Sequence, residues 1–191
     1  MKTKIFSSAS IIIFIVSLVY FLLPNEWKIL YTQLFSSKER KKIILPVKSV
    51  NIDDIEDTYG AERPGGRKHE GLDIFAPYFS PVISASDGIL LYTGRDVLGG
   101  NVIKILGNDK RIYYYAHLSK YIDFKTEDKI KQGQTIGYIG NTGNAISTPP
   151  HLHFEIMEIK WLLPLITKSI NPYNELIDSN SFKQDLINYS N

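Results

Sequence analysis

The chain contains no cysteine. That absence excludes disulfide bridges, thiolate-ligated metals and thiol catalysis, and by itself selects no cellular compartment. Histidine is almost as scarce, with four residues in 191. Charge of neither sign dominates, the formal net charge being +2. There is no stripe of interleaved arginine and aromatic residues, so no nucleic-acid partner is expected. Strong helix signals are missing between residues 43 and 157. At this length the chain holds one domain with room for an appendage.

What is present is concentrated around the few histidines. His69 and Asp73 form an HxxxD motif, and His151 and His153 form an HxH motif. His117 lies between them in Tyr113-Tyr114-Tyr115-Ala116-His117-Leu118. No histidine is left over for another purpose. On a strand, residues i and i+2 share a face about 6.5–7 Å apart, so both histidines of the HxH address one site. His69 and Asp73 would be about 13 Å apart if fully extended, too far to share an ion. The chain must curve between them, and Gly71 at the midpoint is placed to absorb the curvature. Two imidazole nitrogens and one carboxylate oxygen suit zinc, which in catalytic sites takes three protein ligands and keeps one position open. A metal drawn from His69, Asp73 and one histidine of the HxH leaves two histidines for proton transfer. Either motif alone is weak; strand histidines are commonly just packed or solvated.

From residue 43 the pattern is β. Ile43-Ile44-Leu45-Pro46-Val47 is a short apolar run. Residues 81–86 and 89–93 flank Asp87-Gly88, which reads as a hairpin turn. Residues 101–106 and 111–117 flank Gly107-Asn108-Asp109-Lys110, a second hairpin, and residues 134–139 and 151–157 complete the set. The fold class is all-β, with antiparallel sheets in a sandwich-like core around a substrate groove. Tyr113, Tyr115 and His117 share strand parity, and sheet packing is the leading reading of the tyrosines. Glu155 shares parity with His151 and His153 and reads as a partner orienting an imidazole. Glu70, of opposite parity to its flanking ligands, reads as solvent-facing. Residues 141–150, with Pro149-Pro150, form a groove wall. Residues 158–170 read as an apolar insertion, and the tail after 173 carries no assigned role.

Residues 5–23 are uncharged and follow Lys2 and Lys4. Nineteen helical residues span about 28 Å, close to the ~30 Å hydrocarbon core of a bilayer. This reads as a single transmembrane signal anchor; a cleaved signal peptide is the alternative, but no small-x-small site follows. Lys28, Lys38, Arg40, Lys41 and Lys42 come after it, and the positive-inside rule would then keep the C-terminal side in the cytoplasm. The chain thus divides into an anchor (1–23), a juxtamembrane linker (24–42), a β domain (43–175) and a C-terminal tail (176–191). The basic cluster reads either as a solvated linker or as a strip along acidic headgroups or wall polymers.

Residues 59 to 173 resemble the lysostaphin-like (LytM-type) zinc metallopeptidases. The match includes Arg67-Lys68-His69-Glu70-Gly71-Leu72-Asp73, Ala85-Ser86-Asp87-Gly88, Gly99-Gly100-Asn101 and Tyr115-Ala116-His117-Leu118. It continues through Lys131-Gln132-Gly133-Gln134, Asn141-Thr142-Gly143-Asn144, His151-Leu152-His153-Phe154-Glu155 and Asn171-Pro172, in the family's order. The resemblance implies one Zn2+ per chain held by His69, Asp73 and His153, with His117 and His151 as the catalytic pair. It implies hydrolysis of peptide bonds in peptidoglycan stem peptides or cross-bridges. That substrate places the domain on the outer face of the cell membrane, against the positive-inside count.

Two other classes compete. A catalytically inactive module that binds peptidoglycan or activates an amidase would share the fold without needing five intact site residues. A phosphocarrier or a biotinyl-lipoyl domain uses similar glycine-rich hairpins. The first has no use for HxxxD, and the second needs a lysine turn flanked by methionines, whereas Met1 and Met157 are elsewhere.

Overall fold

The structure is a computed structural model that describes residues 8–25, 27–28, 32, 42–162 and 165–178. Lys2, Lys4, residues 5–7, the basic residues Lys38, Arg40 and Lys41, and the tail from 179 lie outside the described residues. The one α-helix with described ends, α1 (Ser8–Leu22), has 15 residues, about 22 Å of rise. It has no acidic residue in its first turn and no basic residue in its last. Every side chain from Ala9 to Leu22 is exposed, Phe21 and Leu22 by more than 70%. Among the described residues no helix is long and apolar enough to cross a membrane.

The rest is β. In chain order the strands are β1 (Glu62–Arg63), β2 (Arg67–Lys68), β3 (Leu72–Phe75), β4 (Pro81–Ile83), β5 (Gly88–Asp96) and β6 (Gly100–Gly107). They continue with β7 (Arg111–Leu118), β8 (Lys120–Tyr121), β9 (Lys129–Ile130), β10 (Thr135–Tyr138), β11 (His151–Leu162) and β12 (Leu165–Ile170). The main sheet runs β12-β11-β7-β6-β5-β9, with β3 beside the first half of β11. All of its pairings are antiparallel. A smaller sheet, β4-β10-β8, closes over one face, and β1 and β2 form a separate hairpin.

Period-2 patterning explains the layering. On β11, Leu152, Phe154 and Ile156 are fully buried. They meet Leu72 and Ile74 of β3, Tyr113 and Tyr115 of β7, and Val82 and Ile136 of the smaller sheet in one core. Phe154 stacks on Tyr113 with ring centroids 6.2 Å apart. Burying side chains of this size contributes roughly 1.5–3 kcal/mol each. The alternate residues His151, His153 and Glu155 therefore project from the opposite face. Tyr113 and Tyr115 are sheet packing, as their composition suggests.

Two local expectations are corrected. Asp87-Gly88 does not turn a hairpin, because β4 pairs with β10 while β5 pairs with β6 and β9. Between them the backbone is bonded elsewhere: Ser84 N–H donates to Gln134, and the Ala85 carbonyl accepts from Ile44. The chain crosses from one sheet to the other there. Residues 158–170 are not an insertion but the outer half of β11 and β12, paired from Ile156↔Ile170 to Leu162↔Leu165. The Gly107–Lys110 turn does join β6 to β7, with Lys110 in the left-handed region at φ 67°.

Segments flanking the domain also contribute. Ile43 and Leu176 are buried in the core, the latter from a helical turn over 172–178. Trp27 packs against the buried pair Leu106 and Ile112, as do Leu91, Met157 and Ile159. Met157 lies four residues beyond His153 on β11, so Trp27 covers the same face of the sheet that carries the histidines.

Candidate active site

His69, Asp73 and His153 converge from three backbone segments. His153 and Asp73 are direct cross-strand partners on β11 and β3, on the face away from the core. His69 precedes β3, and the chain bends at Gly71 to bring it back over the strand. Gly71 also supplies room: a Cβ there would stand 2.6 Å from Cε1 of His153 and 2.7 Å from the Phe154 carbonyl. The three ligand atoms form a small triangle. Asp73 Oδ1 lies 3.0 Å from His69 Nε2 and 3.0 Å from His153 Nδ1, and the two nitrogens are 2.9 Å apart. A tetrahedral ion with bonds of about 2.0–2.1 Å separates its ligands by about 3.3 Å, so the triangle is within a few tenths of an ångström of that size. Donor type, spacing and burial all fit a zinc ion.

The supporting contacts fix how each group is presented. A carbonyl only accepts, so His69 carries its proton on Nδ1, which donates to Thr58 O at 2.7 Å, and turns Nε2 to the centre. The Thr58 hydroxyl accepts from the Asp73 N–H at 3.0 Å. Arg63 on β1 donates to Asp73 Oδ2, the carboxylate oxygen that the histidines leave unused. Burial alone would raise the Asp73 carboxyl, but the adjacent His153 and His69 rings outweigh it. The carboxyl is held well below the usual carboxylate range.

His117 and His151 stand beside the triangle. Their ring centroids are 5.0 Å apart, and that of His117 is 5.8 Å from His153. His151 Nε2 is 3.9 Å from Asp73 Oδ1. Both rings donate from Nδ1 to one loop: His117 to Thr142 O at 2.8 Å and His151 to Pro149 O at 2.8 Å. That leaves both Nε2 atoms as bare acceptors. The 141–150 loop therefore sets two tautomers. Burial lowers the His117 pKa to about 4, assisted by His151 and His153 and opposed by the hydrogen bond to Thr142. His117 is thus neutral across the physiological range.

His117 does not share a face with Tyr113 and Tyr115. Those two point into the core, whereas His117 points to the site. The cause is local: His117 has φ 61°, and the β6–β7 register shifts between Asn101 and Ile103. The tyrosine on the site face is Tyr114, cross-strand partner of Glu155 and edge-on to His153 at 6.2 Å. Glu155 accepts from Ser169 and, among the described residues, makes no hydrogen bond to His69, Asp73 or His153; burial raises its pKa despite the Ser169 bond. Glu70 is exposed, as its parity implies.

Sequence reasoning missed Arg63, Thr58 and Thr142. Two of them act through main-chain carbonyls, which residue type does not encode. Arg63 reaches Asp73 through a two-residue hairpin that has no periodic signature.

A curled antiparallel sheet carrying this constellation is the arrangement of the lysostaphin-like metallopeptidases. The chain belongs to peptidase family M23, whose sequence profile matches residues 67–172, more than half of its length. It is 39% identical over 126 residues to an uncharacterized metalloprotease of Buchnera aphidicola, covering 64% of this chain and 31% of that protein. It is 37% identical over 91 residues to the peptidoglycan DD-endopeptidase ShyC of Vibrio cholerae, covering 48% of this chain and 20% of that one. The chain thus spans a third or less of the length of these curated relatives. The catalytic domain of the antimicrobial peptidase lysostaphin from Staphylococcus simulans superposes with a TM-score of 0.54 at 34% identity, over 63% of this chain and 91% of that domain.

Proposed function

We propose that the protein is a zinc-dependent endopeptidase that hydrolyses peptide bonds in the stem peptides or cross-bridges of peptidoglycan. His69, Asp73 and His153 hold the metal, and His117 and His151 move protons. The observation that carries this reading is the convergence of all four histidines and Asp73 on one face of the sheet. The name of the Vibrio cholerae relative supports peptidoglycan as the substrate class.

Zinc, when bound, lowers the pKa of a coordinated water from about 15.7 toward 7 and polarises the scissile carbonyl. His69 and His153 present bare nitrogens and Asp73 an ionised oxygen, a donor set with net charge −1 that suits a divalent cation. His117 and His151, fixed as Nδ1–H tautomers, each offer Nε2. One of the two accepts the proton of the attacking water at Nε2 and then delivers that same proton to the departing amine. Burial keeps His117 neutral and so able to accept. Each role is worth on the order of 10²–10⁴ in rate.

The same proposal extends to location. Residues 1–23 anchor the chain in the cell membrane, 24–42 link it, and 43–175 form the peptidase domain on the outer or periplasmic side, with 176–191 as a tail. The support is the uncharged run 5–23 and the exposure of α1 on all sides. An extracytoplasmic substrate fixes the orientation.

The test incubates the protein with purified peptidoglycan and identifies the products by mass spectrometry, with zinc, with chelator, and as His153→Ala. New peptide ends that require both zinc and His153 are expected, and they name the bond. Intact wall in every arm refutes the hydrolase.

A further inference from the structure

Beyond the metal centre, the site face of the sheet carries a row of side chains in direct cross-strand register. Tyr92 pairs with Lys104, Lys104 with Tyr114, and Tyr114 with Glu155. Ile103 and Ile105, the neighbours of Lys104, are fully buried on the other face, so Lys104 stands on the site face of the sheet. Its Nζ sits 5.3 Å from the centroid of the Tyr114 ring, and Tyr114 in turn meets His153. Tyr92 lies on the opposite flank, 42% exposed, with its hydroxyl over Gly94, where a Cβ would come within 2.2 Å of it.

Lys104 as a residue is half-buried, yet among the described residues it forms no ion pair and donates no hydrogen bond. The carboxylates that border the row are hydrogen-bonded by other groups, although the Lys104 charge also acts on Glu155. Asp96 accepts from the Tyr114 hydroxyl and the Gly99 N–H, and Glu155 accepts from Ser169. A cation–π contact with one ring does not satisfy three N–H donors. A half-buried lysine between two tyrosines, with no ion pair or hydrogen bond of its own among the described residues, is a receptor for an anion.

We propose that Lys104, flanked by Tyr92 and Tyr114, is a subsite for a free carboxylate of the peptide substrate. Strands are spaced about 4.8 Å and residues about 3.3 Å along a strand, which puts the backbone of Lys104 some 12 Å from that of His153. The lysine side chain shortens that gap to about two or three residues of extended peptide. The carboxylate therefore belongs to an acidic side chain or a chain terminus two or three residues from the scissile bond. Beyond the row the same face turns apolar, through Leu106, Ile112 and Met157 beneath Trp27, which ends the polar part of the groove.

This inference rests on the peptidase reading, and the experiment separates the two. Cross-linked stem-peptide dimers with free carboxylates, and the same dimers with their carboxylates amidated, are offered to the full chain and to Lys104→Gln. Thermal unfolding verifies that the variant is folded. On the free acid the variant should show KM raised about 10-fold with kcat within twofold of the wild type, and amidation should abolish that difference. Calorimetric binding of both dimers to the zinc-free protein gives the same comparison without turnover. A wild type indifferent to amidation overturns the subsite while leaving the peptidase intact. Equal losses by the variant on both dimers also overturn it, since they mark a structural role. Lys104-dependent preference in binding without hydrolysis keeps the subsite and removes the peptidase reading. Neither binding nor hydrolysis removes both.

Discussion

Arg63 donates to Asp73 Oδ2 while His69 and His153 share Asp73 Oδ1, so one carboxylate has its two oxygens assigned to two different tasks. The guanidinium fixes the rotation of the carboxylate and presents a single oxygen to the centre. Arg63→Ala should lower zinc affinity about 10-fold, the size typical of a lost partner behind a metal ligand. Arg63→Lys should recover part of it. Competition with a chromophoric chelator gives the affinity, and an unchanged value for the alanine variant would contradict the role.

Gly71 tests the packing under His153. An added methyl meets Cε1 of the ring at 2.6 Å and the Phe154 carbonyl at 2.7 Å, and the second of these is backbone. Gly71→Ala should cost about 1–3 kcal/mol of stability. Zinc affinity should fall with it, because the displaced ring belongs to a proposed ligand. A melting temperature and a zinc affinity both equal to the wild type would refute the steric argument.

Acid lability should originate partly at His117. Its folded pKa is depressed to about 4, below the unfolded value near 6.5. Between those values the unfolded chain takes up a proton that the folded chain refuses, so stability falls as pH drops from about 6.5 to about 4. The loss integrates to about 3 kcal/mol. Chemical unfolding of zinc-free protein at several pH values should show this slope, and His117→Gln should flatten it. A variant that retains the full slope would place the titration elsewhere.

Away from the site, Arg111 bridges Asp109 (Nε to Oδ2, 2.6 Å) and Glu175 (Nη1 to Oε2, 2.6 Å) with almost no solvent contact of its own. Arg111→Met strands Asp109 in the interior and should cost about 3–5 kcal/mol. Pairing it with Asp109→Leu should restore most of that. Denaturant titration distinguishes the outcomes; a double variant as weak as the single one would mean that packing, not charge, is at stake.

The legible and illegible parts of this protein divide along a physical line. HxH reads correctly because strand alternation is strict on β11, and the pattern Leu152, Phe154, Ile156 against His151, His153, Glu155 is visible in the letters. The clustering of His69 with Asp73 is readable once extension is shown to hold them too far apart. His117 could not be assigned to a face, because its left-handed φ and the neighbouring register shift come from tertiary pairing with β6. Asp87-Gly88 misleads for a similar reason. The dipeptide suits a tight turn, but the backbone before it is bonded to Gln134 and Ile44, far away in sequence. Arg63 is invisible because nothing in its spacing points at Asp73. Trp27 was read as part of a linker, and only the folded chain shows it resting on the sheet.

The late position of β11 also governs when the histidine and aspartate cluster is complete. His69 and His153 are 84 residues apart, and Asp73 and His153 are 80 apart. Contacts of such long sequence separation form late in folding, and the N-terminal part of a chain emerges first during synthesis. Until β11 slots between β3 and β7, the growing polypeptide displays only half a centre. On the peptidase reading proposed above, a nascent copy is inert until the sheet closes.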